Sequence, residues 1–166
     1  MHRLIKLDCA RPDMQSITKC SVVSTKEKLF ERLSALQAKG NAVQLFNADA
    51  VIDELHLNAA YENAMRAFEE GTNIARNVAV EMLLFAAFTT QIGEAVKLAG
   101  FGGGSAVLFS ADGNGAKLLG KLVAPEGELG TKPNPAAIRR YGMEEISPEK
   151  IDLEILTRMA ESRLGP

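Results

Sequence analysis

Apolar residues recur along the chain with two periods, one of strands and one of helices, and their alternation predicts an α/β protein of the α+β type. Arg3–Cys9 and Lys19–Ser24 are runs of strand length, the second carrying Cys20, Val22 and Val23. Ser24 or Thr25, followed by Glu27 and Lys28, opens a helix that reaches Lys39, with Leu29, Leu33 and Leu36 on one face and Gly40 as its stop. Ala42–Phe46 predicts a third strand and Asn47-Ala48-Asp49 a turn. From about Asp53 to Glu70, Leu57, Ala60, Tyr61, Ala64 and Phe68 fall on one helical stripe, which Gly71-Thr72-Asn73 ends.

The second half continues in the same way. Val78–Phe88 is apolar nearly all round except at Glu81, so it predicts a helix inside the core. Gln91–Ala99 predicts another helix, stopped by Gly100, and Ser105–Ser110 a buried strand followed by a turn over Asp112–Gly115. Ala116–Val123 predicts a short helix, and Pro125–Pro135, with three prolines and two glycines, a loop. Ser147-Pro148-Glu149 opens a last helix, which runs to about Leu164. The expected architecture is a small mixed or antiparallel sheet packed with several helices, the C-terminal helix forming part of an interface. Residues 1–166 are expected to form a single domain, since one domain typically takes roughly 100–200 residues.

Composition narrows the function classes. With 46% hydrophobic and 24% charged residues the chain has the means to bury a core. Aromatic residues are 5% and Trp is absent, which argues against a base-stacking platform. Cys9 and Cys20 are in no metal-ligand spacing and predict reduced thiols. Met1–Asp8 has no apolar signal region and no apolar run approaches membrane-span length, so a cytoplasmic protein without membrane contact is expected.

The net charge of −2 hides strong local imbalance. Residues 1–40 carry eight basic and four acidic side chains, and residues 115–140 five and two. Residues 41–114 carry three basic against nine acidic, and residues 141–166 three against six. A polyanion would meet basic patches if the first and third segments came together, or if a few Lys and Arg clustered in space.

Catalytic signatures are missing. There are two histidines, His2 and His56, and no metalloprotease, nucleophile-elbow or P-loop motif. Asp53 and His56 are one helical turn apart, but no nucleophile is near in sequence and a local helix-surface pair is the simpler reading. Gly102-Gly103-Gly104-Ser105 follows a helix and precedes a strand, the reverse of a phosphate-cradling loop, and reads as a connector. Glu81 is a lone carboxylate in an apolar helix, which calls for a counter-charge, an exposed stripe or a groove. No cofactor or metal is expected.

The last helix carries the clearest sign of a partner. At 100° per residue, Ile151, Ile155 and Met159 fall within roughly 80°, and Leu153, Leu156, Ala160 and Leu164 form a second stripe about 140° further round. Together they cover roughly 220°, twice the stripe of about 100° that a surface helix needs. One stripe must face the domain and the other something else. Leu-rich stripes pack well, so Leu153, Leu156 and Ala160 are expected inside and Ile151, Ile155 and Met159 against the partner.

A family resemblance rests on an ordered series of short blocks. They are Leu45-Phe46-Asn47-Ala48-Asp49-Ala50-Val51, His56-Leu57-Asn58-Ala59-Ala60 with Ala64, Glu81-Met82-Leu83-Leu84, Gln91-Ile92 with Ala95 and Gly100-Phe101, and Ile155-Leu156-Thr157-Arg158-Met159-Ala160. In order and spacing they resemble the small kinase-binding subunit of the KEOPS complex, especially its archaeal form. The resemblance implies a subunit without enzymatic activity in the machinery for tRNA threonylcarbamoyladenosine. It implies direct docking on the complex's kinase/ATPase subunit, through it a link to the catalytic carbamoyltransferase subunit, and recruitment of tRNA by its 3′ CCA end. Ile151, Ile155, Arg158 and Met159 are then the expected kinase contacts. His56, Arg76, Asn77, Glu81, Gln91 and Lys97 are the expected tRNA contacts, with Glu81 suited to accept from a cytosine amine.

The chain departs from the archaeal pattern at Phe85 and Thr90, where arginines are usual, and at Glu62, where Asn is common. Losing two guanidiniums removes charge-assisted phosphate contacts. A kinase regulator that binds protein alone therefore stands beside the tRNA-recruiting subunit. A small enzyme using Asp53, His56 and Glu81 is the third reading.

Overall fold

The computed structural model describes residues 15–164. The expected Arg3–Cys9 strand lies outside them, as do His2 and Cys9.

Four strands form one antiparallel sheet in the order β2-β3-β1-β4: β1 (Ser16–Val22), β2 (Val43–Asn47), β3 (Ser105–Ser110) and β4 (Val123–Gly127). Strand alternation divides the core in two. Val43, Leu45, Ala106, Leu108 and Cys20 point to one face, where α1 (Lys26–Ala38) lays down Leu29, Leu33 and Leu36 and α5 (Gly115–Leu119) adds Leu119. Phe46, Val107 and Phe109 point to the other face, which carries α2 (Glu54–Glu70), α3 (Val78–Ala86), α4 (Ile92–Ala99), α6 (Pro135–Arg140) and α7 (Ile151–Glu161). The expected α+β class, with an antiparallel sheet, is what forms.

Local chemistry sets the ends of these elements. Thr25 caps α1 by accepting from the Lys28 N–H, and Asp53 caps α2 by accepting from the His56 N–H at 2.9 Å. Asp53 and His56 thus meet as cap and backbone, not as an acid–base pair. Gly71 ends α2 at φ 71°, a left-handed turn that a side chain would strain. Gly103 and Gly104, at φ 139° and 79°, form the connector into β3. Buried Ala60, Ala64, Ala79 and Ala86 belong to the core between α2 and α3, where small side chains let helices approach. Every residue from Glu81 to Ala87 is buried, so α3 is the central rod of its layer.

The proline-rich stretch holds more order than a loop. The expected helix over Ala116–Val123 breaks at Gly120, and Val123 starts the edge strand β4 by pairing with Val22. Pro125 is tolerated because an edge strand need not donate on its open side. Asn134 then caps α6 by accepting from the Ala136 N–H at 3.0 Å, with Pro135 at the first helical position. Its amide also donates to the Ala48 carbonyl at 3.0 Å, which ties α6 to the turn after β2.

Candidate functional site

The last helix presents its two apolar stripes in the order opposite to the expectation. Ile151, Ile155 and Met159 are buried, the last two completely, against the α2–α3 layer. Leu153 is 66% exposed, Leu156 45% and Leu164 80%, with Ala160 exposed between them. The stripe expected to meet a partner is core, and the stripe expected in the core is on the surface.

Two arginines explain the inversion. Arg158 and Arg163 flank the Ile/Met stripe on either side, each roughly 60–80° from Ile155. Arg158 pairs with Glu154 at 2.7 Å and donates to the Tyr141 carbonyl. Arg163 reaches the buried Glu81, Nη2 to Oε1 at 2.7 Å, in a charge contact rather than an aligned hydrogen bond. Its guanidinium lies 3.9 Å from the centre of the Phe85 ring. Turning the leucines inward would swing both arginines away from these acceptors. Arg158 is therefore a helix-positioning residue, not the free kinase contact expected of it.

Glu81 is fully buried and fully occupied. Its Oε2 accepts from the N–H groups of Ile74 at 2.9 Å and Ala75 at 2.6 Å, and its Oε1 faces Arg163. The carboxylate thus ties the 71–77 loop and the end of α7 to α3. It has no open side for a cytosine amine, and the expectation of a base contact at Glu81 is withdrawn.

His56 is likewise interior. Its ring is 0% exposed, its Nδ1 accepts from the Ile52 N–H at 3.1 Å, and its Nε2 lies 2.9 Å from the Ala86 carbonyl. These partners assign the neutral form with the proton on Nε2. The ring stacks on Phe88 at 5.5 Å and meets Tyr141 edge-on at 5.7 Å. Burial lowers its pKa from 6.5 to about 4, although the Ala86 carbonyl pulls the other way. It touches no solvent and cannot contact RNA.

The other expected RNA contacts do not share one place. Asn77 is half-buried and spends its side chain capping α3 through the Val80 N–H at 2.9 Å. Arg76 is exposed and lines, with Asn77, a groove of about 560 Å³ beside the end of α1. Gln91 and Lys97 are exposed on and before α4. A separate cleft of about 460 Å³ runs between α2, α3 and the end of α7, bordered by Asn63, Arg66, Phe85, Thr90 and Arg163. Arg66 and Arg163 were missed in the sequence, yet they bring two guanidiniums to the side of Phe85 and Thr90. Among the described residues no group of three or more His, Cys, Asp or Glu is placed to hold a metal ion, and no helix is long and apolar enough to cross a membrane.

A family model described as kinase binding protein CGI-121 matches residues 20–115. The chain belongs to this kinase-binding family. No curated protein matches the chain. The matched span runs from β1 to the start of α5 and includes Glu81 and His56, while α7 and its exposed leucines lie beyond it.

Two outcomes follow from the buried ionisable groups. As pH falls from 6.5 toward about 4, unfolded His56 takes up a proton that the folded chain refuses, so stability falls with pH across that window. The loss is about 1.4 kcal/mol per pH unit and about 3 kcal/mol in all. In urea denaturation at several pH values, His56→Gln should be less stable throughout but should lack this part of the pH dependence. Arg163→Ala strands Glu81 without a counter-charge and should cost about 3 kcal/mol, read as a lowered melting temperature. Glu81→Gln combined with Arg163→Met should recover most of it.

Proposed function

We propose that the chain is a non-catalytic subunit of the KEOPS complex, acting in tRNA threonylcarbamoyladenosine modification by binding and supporting the complex's kinase/ATPase subunit. The observation that carries this reading is the solvent-facing ridge of Leu153, Leu156, Ala160 and Leu164 on α7 of a kinase-binding family member. An apolar ridge held outward usually marks an interface. The flanking acidic residues Asp152 and Glu161 suit a basic rim on the partner. The catalytic carbamoyltransferase subunit would be reached through the kinase.

Recruitment of tRNA by its 3′ CCA end belongs to the same proposal. It is supported by the cleft beside Thr90, where the exposed Arg66 offers a guanidinium to the phosphate of a single-stranded end; Phe85 lies buried beneath Arg163, which is held by Glu81, and Glu70 also lines the cleft. Gln91 just before α4 and Lys97 on it remain solvent-accessible. The second reading, a kinase regulator that binds protein alone, is favoured by the loss of His56 and Glu81 to the interior.

Full burial of a leucine is worth about 1.5–3 kcal/mol, so Leu153→Glu should weaken kinase binding about ten- to hundredfold, measured by calorimetry. Its melting temperature should stay near that of the parent chain. Ile155→Glu should instead unfold the chain. Normal kinase binding by both Leu153→Glu and Leu156→Glu would remove α7 from the interface. In filter binding, intact tRNA should be held and CCA-trimmed tRNA lost, and Arg66→Ala should weaken intact tRNA and reduce the salt slope by about one unit. Equal binding of trimmed and intact tRNA sinks the CCA reading, and no binding of either leaves the protein-only regulator.

A further inference from the structure

The two basic segments of the sequence meet on the sheet face away from α7. α1 and α5 pack side by side there, and the Arg32 Nε donates to the Leu118 carbonyl at 3.2 Å. At 100° per residue, Lys28, Arg32 and Lys39 fall within about 40° of one another on α1. Glu27 and Glu31 lie roughly 100° further round, on the flank away from α5. Lys117 and Lys121 stand exposed on the neighbouring turns. Among the described residues the ion pairs are Glu154–Arg158 and Glu81–Arg163, so all five of these cations lack a carboxylate partner there.

We propose that the stripe of Lys28, Arg32, Lys39, Lys117 and Lys121 binds the phosphate backbone of a double-helical RNA. The inference rests on the RNA-recruiting reading above and adds a second contact surface to it. Three of the cations span about 16 Å along α1, a run that several successive phosphates can follow. The stripe carries no exposed aromatic side chain: Phe30 on α1 lies roughly on the opposite flank, and the exposed aliphatic nearest Lys121, Val23 beside Leu122, is a single side chain at the stripe's edge. A protein partner would want an apolar anchor at the centre of its interface, and a membrane surface would want apolar side chains to insert. Single-stranded RNA would want stacking rings. A helical phosphate backbone needs none of these, because counterion release supplies the affinity. The groove carrying Arg76 begins at the end of α1, beside Ala38 and Gly40, and extends the positive track round the β2 edge of the sheet. Asp112 also lines that groove, but its Oδ1 is taken up by the Ser110 hydroxyl and the Asn114 N–H.

The test uses the full chain and the triple variant Lys28→Gln, Lys117→Gln, Lys121→Gln, which leaves the Arg32 contact intact. The probes are a blunt RNA duplex of about 20 base pairs, a single-stranded ACCA oligonucleotide and vesicles of anionic lipid. Fluorescence anisotropy should show duplex binding by the parent chain with a steep salt dependence. The variant should bind at least tenfold more weakly, and its log–log salt slope should fall by about two to three units. Its melting temperature and its binding of the ACCA oligonucleotide should be unchanged. An unchanged slope in the variant overturns the proposal, as does a parent chain that ignores the duplex. Lysine-dependent capture by vesicles at concentrations where the duplex is not bound assigns the stripe to a membrane surface and also overturns it. The two RNA readings fail separately: indifference to CCA trimming with lysine-dependent duplex binding removes the cleft and keeps the stripe.

Discussion

A carboxylate in the centre of an apolar helix constrains most of the helical layer. Glu81 sits on α3, which is enclosed from Glu81 to Ala87, so its charge must be answered from within the protein. The answer comes from two directions. The backbone of the 71–77 loop folds over it and donates from Ile74 and Ala75, and α7 delivers Arg163 from the far end of the chain. Placing Arg163 there sets the rotation of α7 about its axis. That rotation puts Ile151, Ile155 and Met159 against the core and leaves the leucines outside. The face that α7 turns to solvent is thus set by the electrostatic need of a residue one layer below it.

This chain of dependence explains which parts of the fold were legible in the sequence. The helices α1 and α2 follow from their stripes, with Thr25, Asp53 and Gly71 at their ends, and α4 from its stop at Gly100. Strand β3 is read correctly because its apolar run is bounded by glycines before and an Asp-Gly turn after. Strand β4 and α6 were missed because proline dominates both, once as an edge residue and once as a first helical residue. In each case the punctuation that suggests a loop is also compatible with an element that begins or borders one.

The candidate site was legible in kind but not in place. That α7 carries two apolar stripes follows from periodicity alone. Which stripe faces which neighbour does not, since leucine packs as well as isoleucine and methionine. The deciding signal is polar: an interior carboxylate needs a cation, and Arg158 and Arg163 together lie on either side of the Ile/Met stripe, whereas Arg158 is remote from the leucine stripe. His56 and Glu81 were chosen as RNA contacts because their residue types can read bases. Their burial, which sequence does not display, assigns both to the interior. The charge imbalance between segments carried more information than any single residue, because helix packing brings α1 and α5 together.

The outward ridge on α7 also bears on how the protein exists before assembly. Leu153, Leu156 and Leu164 cannot be withdrawn by a small rotation, because Arg158 and Arg163 hold the helix at two points along its length. A chain built in this way cannot conceal its apolar ridge when nothing covers it. An apolar ridge of this kind that no rotation can hide makes the uncovered chain prone to self-association, so its solubility should fall with concentration more steeply than that of a Leu153→Glu variant.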